Sequence, residues 1–192
     1  MTKPSAREKL LEAALDTLHR RGFNATGVQD IADAAGVPKG SVYNHFASKE
    51  ALGVEVLQRY WLKSSEDVLP ILFDRSLPPL IRLRRYFAAL SERLGVEGYA
   101  SGCLVGNFTA ELSDQCAPIR TRLGQLYGEW TQALCRCLDE AQEAGSLPGV
   151  DTKALAGFLI AAWEGAVLRS KVERDGTALA QFQAIAFTRL LG

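Results

Sequence analysis

An all-α fold in two parts, with about nine helices, is predicted for this chain by three observations. Apolar residues recur every three or four positions through most of the sequence, and no alternating strand pattern of useful length interrupts them. Capping residues, glycines and prolines punctuate the runs where helices start and stop. Finally, two short helical patterns meet at Ala35-Gly36-Val37-Pro38, and a third helix start follows at Ser48. That layout is a helix-turn-helix, which places a helix in a DNA major groove.

The first helix is expected from about Ala6 to Arg21. Ser5 and Glu8 have capping-box spacing, Leu10, Leu11, Ala14, Leu15 and Leu18 make one stripe, and Gly22 is a stop. Phe23 can then enter the core. Thr26 and Gln29 suggest a second capping box, with Val28, Ile31, Ala32 and Ala35 as the buried side of the second helix. Gly36 permits the left-handed turn that ends it. Pro38 suits the start of a third helix of two turns, Lys39 to Phe46, because its missing N–H costs nothing there. Val42 and Phe46 anchor that helix and leave Ser41, Asn44 and His45 outward. Ser48 caps a linking helix over 48–66.

Pro78-Pro79 opens a helix through Leu94, and Gly95, Gly98 and Gly102 mark a loop. A short helix is expected over 103–112. From Pro118 to Ala144 the periodic positions Ile119, Leu123, Leu126, Trp130, Leu134, Leu138 and Ala141 predict a helix about 40 Å long at 1.5 Å per residue. Gly145 to Gly149 is a break. Two last helices are expected over Thr152–Arg174 and Ala178–Leu191, divided at Gly176. Residues 1–50 then form the reading domain, with the linking helix 48–66, and 67–192 a second domain.

Several function classes drop out. No run approaches about 18 apolar residues, so no membrane span is expected. The charged N-terminal stretch is not a signal peptide, which points to the cytoplasm. Lys+Arg and Asp+Glu balance at 22 each, and residues 1–65 hold nine basic against seven acidic side chains, so non-specific phosphate attraction is modest. Cys103, Cys116, Cys135 and Cys137 are expected as thiols in that compartment. Cys135 and Cys137 point to opposite sides of a helix, and neither His19 nor His45 has ligand-type neighbours, so no metal site is assigned. No nucleophile triad, phosphate loop or paired-carboxylate spacing argues for an enzyme, and no cofactor is expected.

The candidate DNA contacts are Thr26, Lys39, Gly40, Ser41, Tyr43, Asn44, His45 and Lys49. Lys39 can pair with phosphate, and Gly40 lets a backbone come close to a duplex. Ser41 and Asn44 are short polar groups suited to base edges or phosphates. Tyr43 and His45 can donate to phosphate oxygens, while Thr26 and Lys49 extend a phosphate clamp.

The set Thr26, Ile31-Ala32, Ala35-Gly36-Val37, Lys39-Gly40-Ser41, Tyr43-x-His45-Phe46 and Ser48-Lys49-Glu50-x-Leu52 resembles the TetR family of one-component transcriptional regulators, as do Ala13-Ala14 and Gly22-Phe23 upstream. The resemblance covers roughly residues 6–60. It implies a three-helix DNA-binding domain, a fourth linking helix, a divergent helical ligand domain, and a homodimeric repressor of a palindromic operator.

The C-terminal half supports two further expectations. Its last two helices carry more apolar faces than one intrachain contact needs, so Leu155, Leu159, Ala162, Ala166, Phe182, Ile185 and Ala186 are candidates for the dimer interface. Phe87, Cys103, Asn107, Phe108, Tyr127, Trp130, Phe158 and Trp163 are candidates to surround a small apolar or electrophilic effector, with Glu164 and Asn107 as possible polar anchors. Residues 102–112, GCLVGNFTAEL, resemble a segment in one branch of the family. A cysteine at a helix start is favoured as thiolate, which leaves open a redox or electrophile sensor at Cys103. An activator on the same fold also stays open.

Overall fold

In a computed structural model, which describes residues 5–191, the chain is helical throughout its elements. Among the described residues they are α1 (Ala6–Arg21), α2 (Val28–Ala35), α3 (Lys39–His45), α4 (Lys49–Phe73), α5 (Pro79–Val96), α6 (Leu104–Leu112), α7 (Ala117–Glu143), α8 (Thr152–Glu173) and α9 (Thr177–Ile185). A single π-type turn, Ala186–Leu190, extends the last of these.

Local chemistry explains most boundaries. Ser5 Oγ accepts the Glu8 N–H at 3.2 Å, and Ser48 Oγ accepts the Ala51 N–H at 3.1 Å, so both serines cap as expected. Gly22 (φ +88°) and Gly36 (φ +65°) end α1 and α2 in backbone conformations open mainly to glycine. The second capping box sits one residue later than its spacing suggested. Gly27 is the cap, and Asp30 Oδ2 accepts its N–H at 2.6 Å. The linking helix also runs past residue 66, to Phe73. Pro70 lies in its last turn, where a missing N–H releases only one interior carbonyl.

The chain forms two compact units, and they differ from the expected domains. The first joins residues 1–63 to 103–126, and the second joins 64–102 to 127–192. Residues 103–126, expected in the C-terminal domain, pack with the reading head in the first of these units. The reason is packing. Phe108 of α6 meets Phe23 edge-on at 5.7 Å between ring centres, and both are buried. A methyl at Gly53 would lie 2.9 Å from the Phe23 ring and 3.2 Å from Ile119 of α7, so those three residues share one tight layer. Ion pairs tie α1 to α4 in the same unit. Arg59 bridges Glu8 at 2.6 Å and Glu12 at 2.8 Å, and Arg7 pairs with Glu55.

The core of the second unit is aromatic. Phe87 of α5 contacts Trp163 of α8 at 5.3 Å and Phe182 of α9 at 4.9 Å. Arg82 is 2% exposed and held at its tip: Nη1 donates to the Leu72 carbonyl at 2.8 Å and Nη2 pairs with Glu140, while its buried Nε meets no acceptor among the described residues. It thereby serves as a C-terminal cap for α4.

Candidate nucleic-acid interface

The α2–α3 pair is held from below by apolar contacts. Ile31 and Ala32 are fully buried, and Val42 and Phe46 are nearly so. The guanidinium of Arg7 lies over the Phe46 ring at 5.2 Å. With one face of α3 pinned, the other is turned out. Lys39, Gly40, Tyr43, Asn44 and His45 are exposed, and Ser41 is half-buried. Among the described residues, and apart from the adjoining backbone of its own helix, nothing lies within 4 Å of where a Gly40 side chain would begin, so packing does not require a glycine there. The result is a short helix carrying a cation, two short polar groups and two ring donors on a surface open to a partner.

Two expected contacts have other work. Thr26 is fully buried, and its hydroxyl donates to the Gly22 carbonyl at 2.8 Å. A buried hydroxyl cannot reach a phosphate, so Thr26 is corrected from a DNA contact to a turn-closing residue. Lys49 is half-buried. Its Nζ donates to the Phe23 carbonyl at 2.6 Å and sits 4.2 Å from the centre of the Phe23 ring. Burial is the main cause that pulls its pKa below the usual lysine value, and Glu50, Glu111 and Asp30 oppose it. Its ammonium is spent on the turn between α1 and α2, so it too positions the reader and is no free phosphate clamp.

Sequence reasoning missed Glu111. This α6 carboxylate accepts the backbone N–H of Phe23 at 2.9 Å through Oε2 and that of Asn24 at 2.5 Å through Oε1. Its separation of nearly ninety residues from the turn left no sequence signal beyond its place in the 102–112 segment.

The expected effector residues are divided. Cys103, Asn107 and Phe108 belong to the first unit, and Phe87, Tyr127, Trp130, Phe158 and Trp163 to the second. Cys103 is half-buried at the N-cap of α6. Phe87, Trp130 and Trp163 are buried, and Tyr127 stacks on Trp130 with 6° between the planes. Phe158 is the exception, being 57% exposed. Five residues turn a helix by about 140° relative to Trp163, so Phe158 leaves the aromatic core. It lines instead a groove of about 290 Å³ with Leu159, Ala162, Ala166, Phe182 and Ile185. The expectation that it sits with Trp163 is therefore corrected.

A buried α2–α3 pair with a polar outer helix defines a helix-turn-helix DNA-binding protein. Residues 10–56 match the family model for bacterial regulatory proteins of the tetR family, and residues 79–186 match that for a tetracyclin repressor-like C-terminal domain. The chain belongs to the TetR family of transcriptional regulators. It is 42% identical over 192 residues to the HTH-type transcriptional repressor DhaR of a Mycobacterium strain, covering 100% of this chain and 95% of that one. A solved regulatory protein TetR from Rhodobacter sphaeroides superposes with a TM-score of 0.86 at 34% identity, covering 92% of this chain and 94% of that one. The reduced form of Escherichia coli NemR superposes with a TM-score of 0.81 at 28% identity, covering 93% of each chain.

Proposed function

We propose that the chain is a homodimeric transcriptional repressor that reads a palindromic operator and is released by a small apolar or electrophilic effector. The exposed polar face of α3 over the buried Val42 and Phe46 carries this reading. Lys39, Tyr43 and His45 contact phosphates, and Ser41 and Asn44 reach base edges. Gly40 admits the duplex closely. The name of DhaR, similar along the whole chain, favours repression over activation.

The reading head has few net charges, so one copy binds weakly and pairing matters. The α8–α9 face supplies a self-complementary surface. Phe158 and Ile185 are 57% and 63% exposed, around the small Ala162 and Ala166. A contiguous apolar face of this kind is covered in a working protein. We assign it to a second copy, with Leu155, Leu159, Phe182 and Ala186 supporting it from beneath. The aromatic groups Phe87, Trp130 and Trp163, with the buried Glu164, supply the wall and anchor for the effector. Its binding favours an arrangement of α6 that does not fit DNA. Among the described residues no helix is long and apolar enough to cross a membrane. A regulator of this family works where it meets DNA, in the cytoplasm.

The test is a gel shift on the promoter upstream of the protein's own gene, with and without small electrophiles and apolar compounds. Release on addition supports the repressor; tighter binding on addition makes it an activator.

Cys103 favours a second reading, in which the effector is covalent. It stands at the N-cap position of α6 and is half-buried. Treatment with an alkylating agent should release wild type and spare Cys103→Ser; equal release of both removes this reading.

A further inference from the structure

Phe23 is the point where α6 grips the reading head. Three side chains hold this one residue from different directions, all within the first unit. The Glu111 carboxylate takes its N–H and that of Asn24. The Lys49 ammonium takes its carbonyl. Phe108, one turn before Glu111 on α6, closes on its ring. Gly22, just before it, leaves room for the carboxylate: a side chain there would start 3.2 Å from Glu111 Oε2. The turn so held runs directly into Thr26, whose hydroxyl locks it to Gly22, and Gly27, the cap of α2.

We propose that Glu111 is the positioning residue that couples α6 to the DNA reader. Its two oxygens lock the turn between α1 and α2, so α6 cannot shift without carrying the start of α2 along or breaking both hydrogen bonds. A carboxylate suits this task because it accepts two backbone N–H groups at once, and hydrogen bonds to an ionised acceptor are the strong ones. A glutamine could not keep an acceptor oxygen on each N–H, since its NH2 would face one of them. Coupling of this kind is reciprocal: what lets α6 alter the reader also lets DNA alter α6.

This deepens the effector reading above and rests on it only for the direction of the signal. The reciprocal arm needs no effector. Amide hydrogen exchange is measured by NMR on the full-length protein, free and bound to a duplex selected from a random pool. In wild type, binding should slow the Phe23 and Asn24 amides and those of α6 together, by about tenfold. In Glu111→Gln the α6 response should fall below about twofold while α3 remains protected by DNA. Equal slowing of α6 in wild type and Glu111→Gln would overturn the proposal. Should that variant not fold, wild type alone decides: slowing at Phe23 and Asn24 with no change in α6 overturns it equally. A wild type that selects no duplex counts against the DNA reading instead, so the two failures stay apart.

Discussion

The first unit leaves polar residues exposed on a short helix, whereas the second leaves apolar residues exposed on a long one. Lys39, Asn44 and His45 stand out from α3, and Phe158 and Val172 from α8. Both surfaces sit over well-packed cores, so neither results from loose folding. The difference indicates what each can meet. A polar, weakly cationic face over a rigid anchor suits a hydrated polyanion, whereas a small-residue apolar face suits another apolar helix pair. One protein thus carries two exposed surfaces of opposite chemistry.

The largest expected effect breaks the packing beneath the reader. Phe108→Ala should destabilise the protein by about 3–5 kcal/mol in chemical denaturation, because it empties the space beside Phe23. A loss under about 1 kcal/mol would mean that α6 is not part of that core. On the other surface, Ala162→Arg should place a charge in the α8–α9 groove, the face proposed to pair with a second copy. Sedimentation should then report monomer, and operator affinity should drop about a hundredfold. An intact dimer with unchanged affinity would move the interface elsewhere.

Smaller effects sharpen the reader. Asn44→Ala should weaken operator binding by about 1–3 kcal/mol and relax preference at one base position, while Lys39→Ala should weaken all sequences alike and lower the salt slope by about one. Identical behaviour of the two variants would contradict the division into base and phosphate contacts.

The smallest expected effect concerns Cys137. Burial pushes its thiol up to about 11, so the folded protein holds it neutral. Native protein at pH 8 should leave Cys137 unalkylated while unfolded protein reacts there. The same shift costs stability only in alkali. The unfolded thiol ionises near 9.0 and the folded one at about 11, so stability declines as pH rises through that window.

Much of the helix-turn-helix was legible because its signals are local. Ser5, Gly22, Gly36 and Ser48 act on backbone groups within four residues of themselves. Val42 and Phe46 were readable as anchors because a helix puts positions four apart on one face. Reading failed where a polar side chain had a choice of partner. Thr26 and Lys49 carry chemistry that suits a phosphate, and no neighbour in sequence announces that Gly22 and Phe23 carbonyls already use it. Phe158 was misplaced for a related reason. On a helix apolar nearly all round, periodicity does not say which face looks inward.

Sequence alone determined the all-helical class, the position of the turn at Gly36 and the polar outer face of α3, since each follows from backbone constraint or helical period. Tertiary structure alone decided that α6 belongs with the reader, that Glu111 clasps the turn and that Phe158 faces outward. Those outcomes depend on contacts between segments dozens of residues apart, and such contacts form only when the chain's packing brings the partners together.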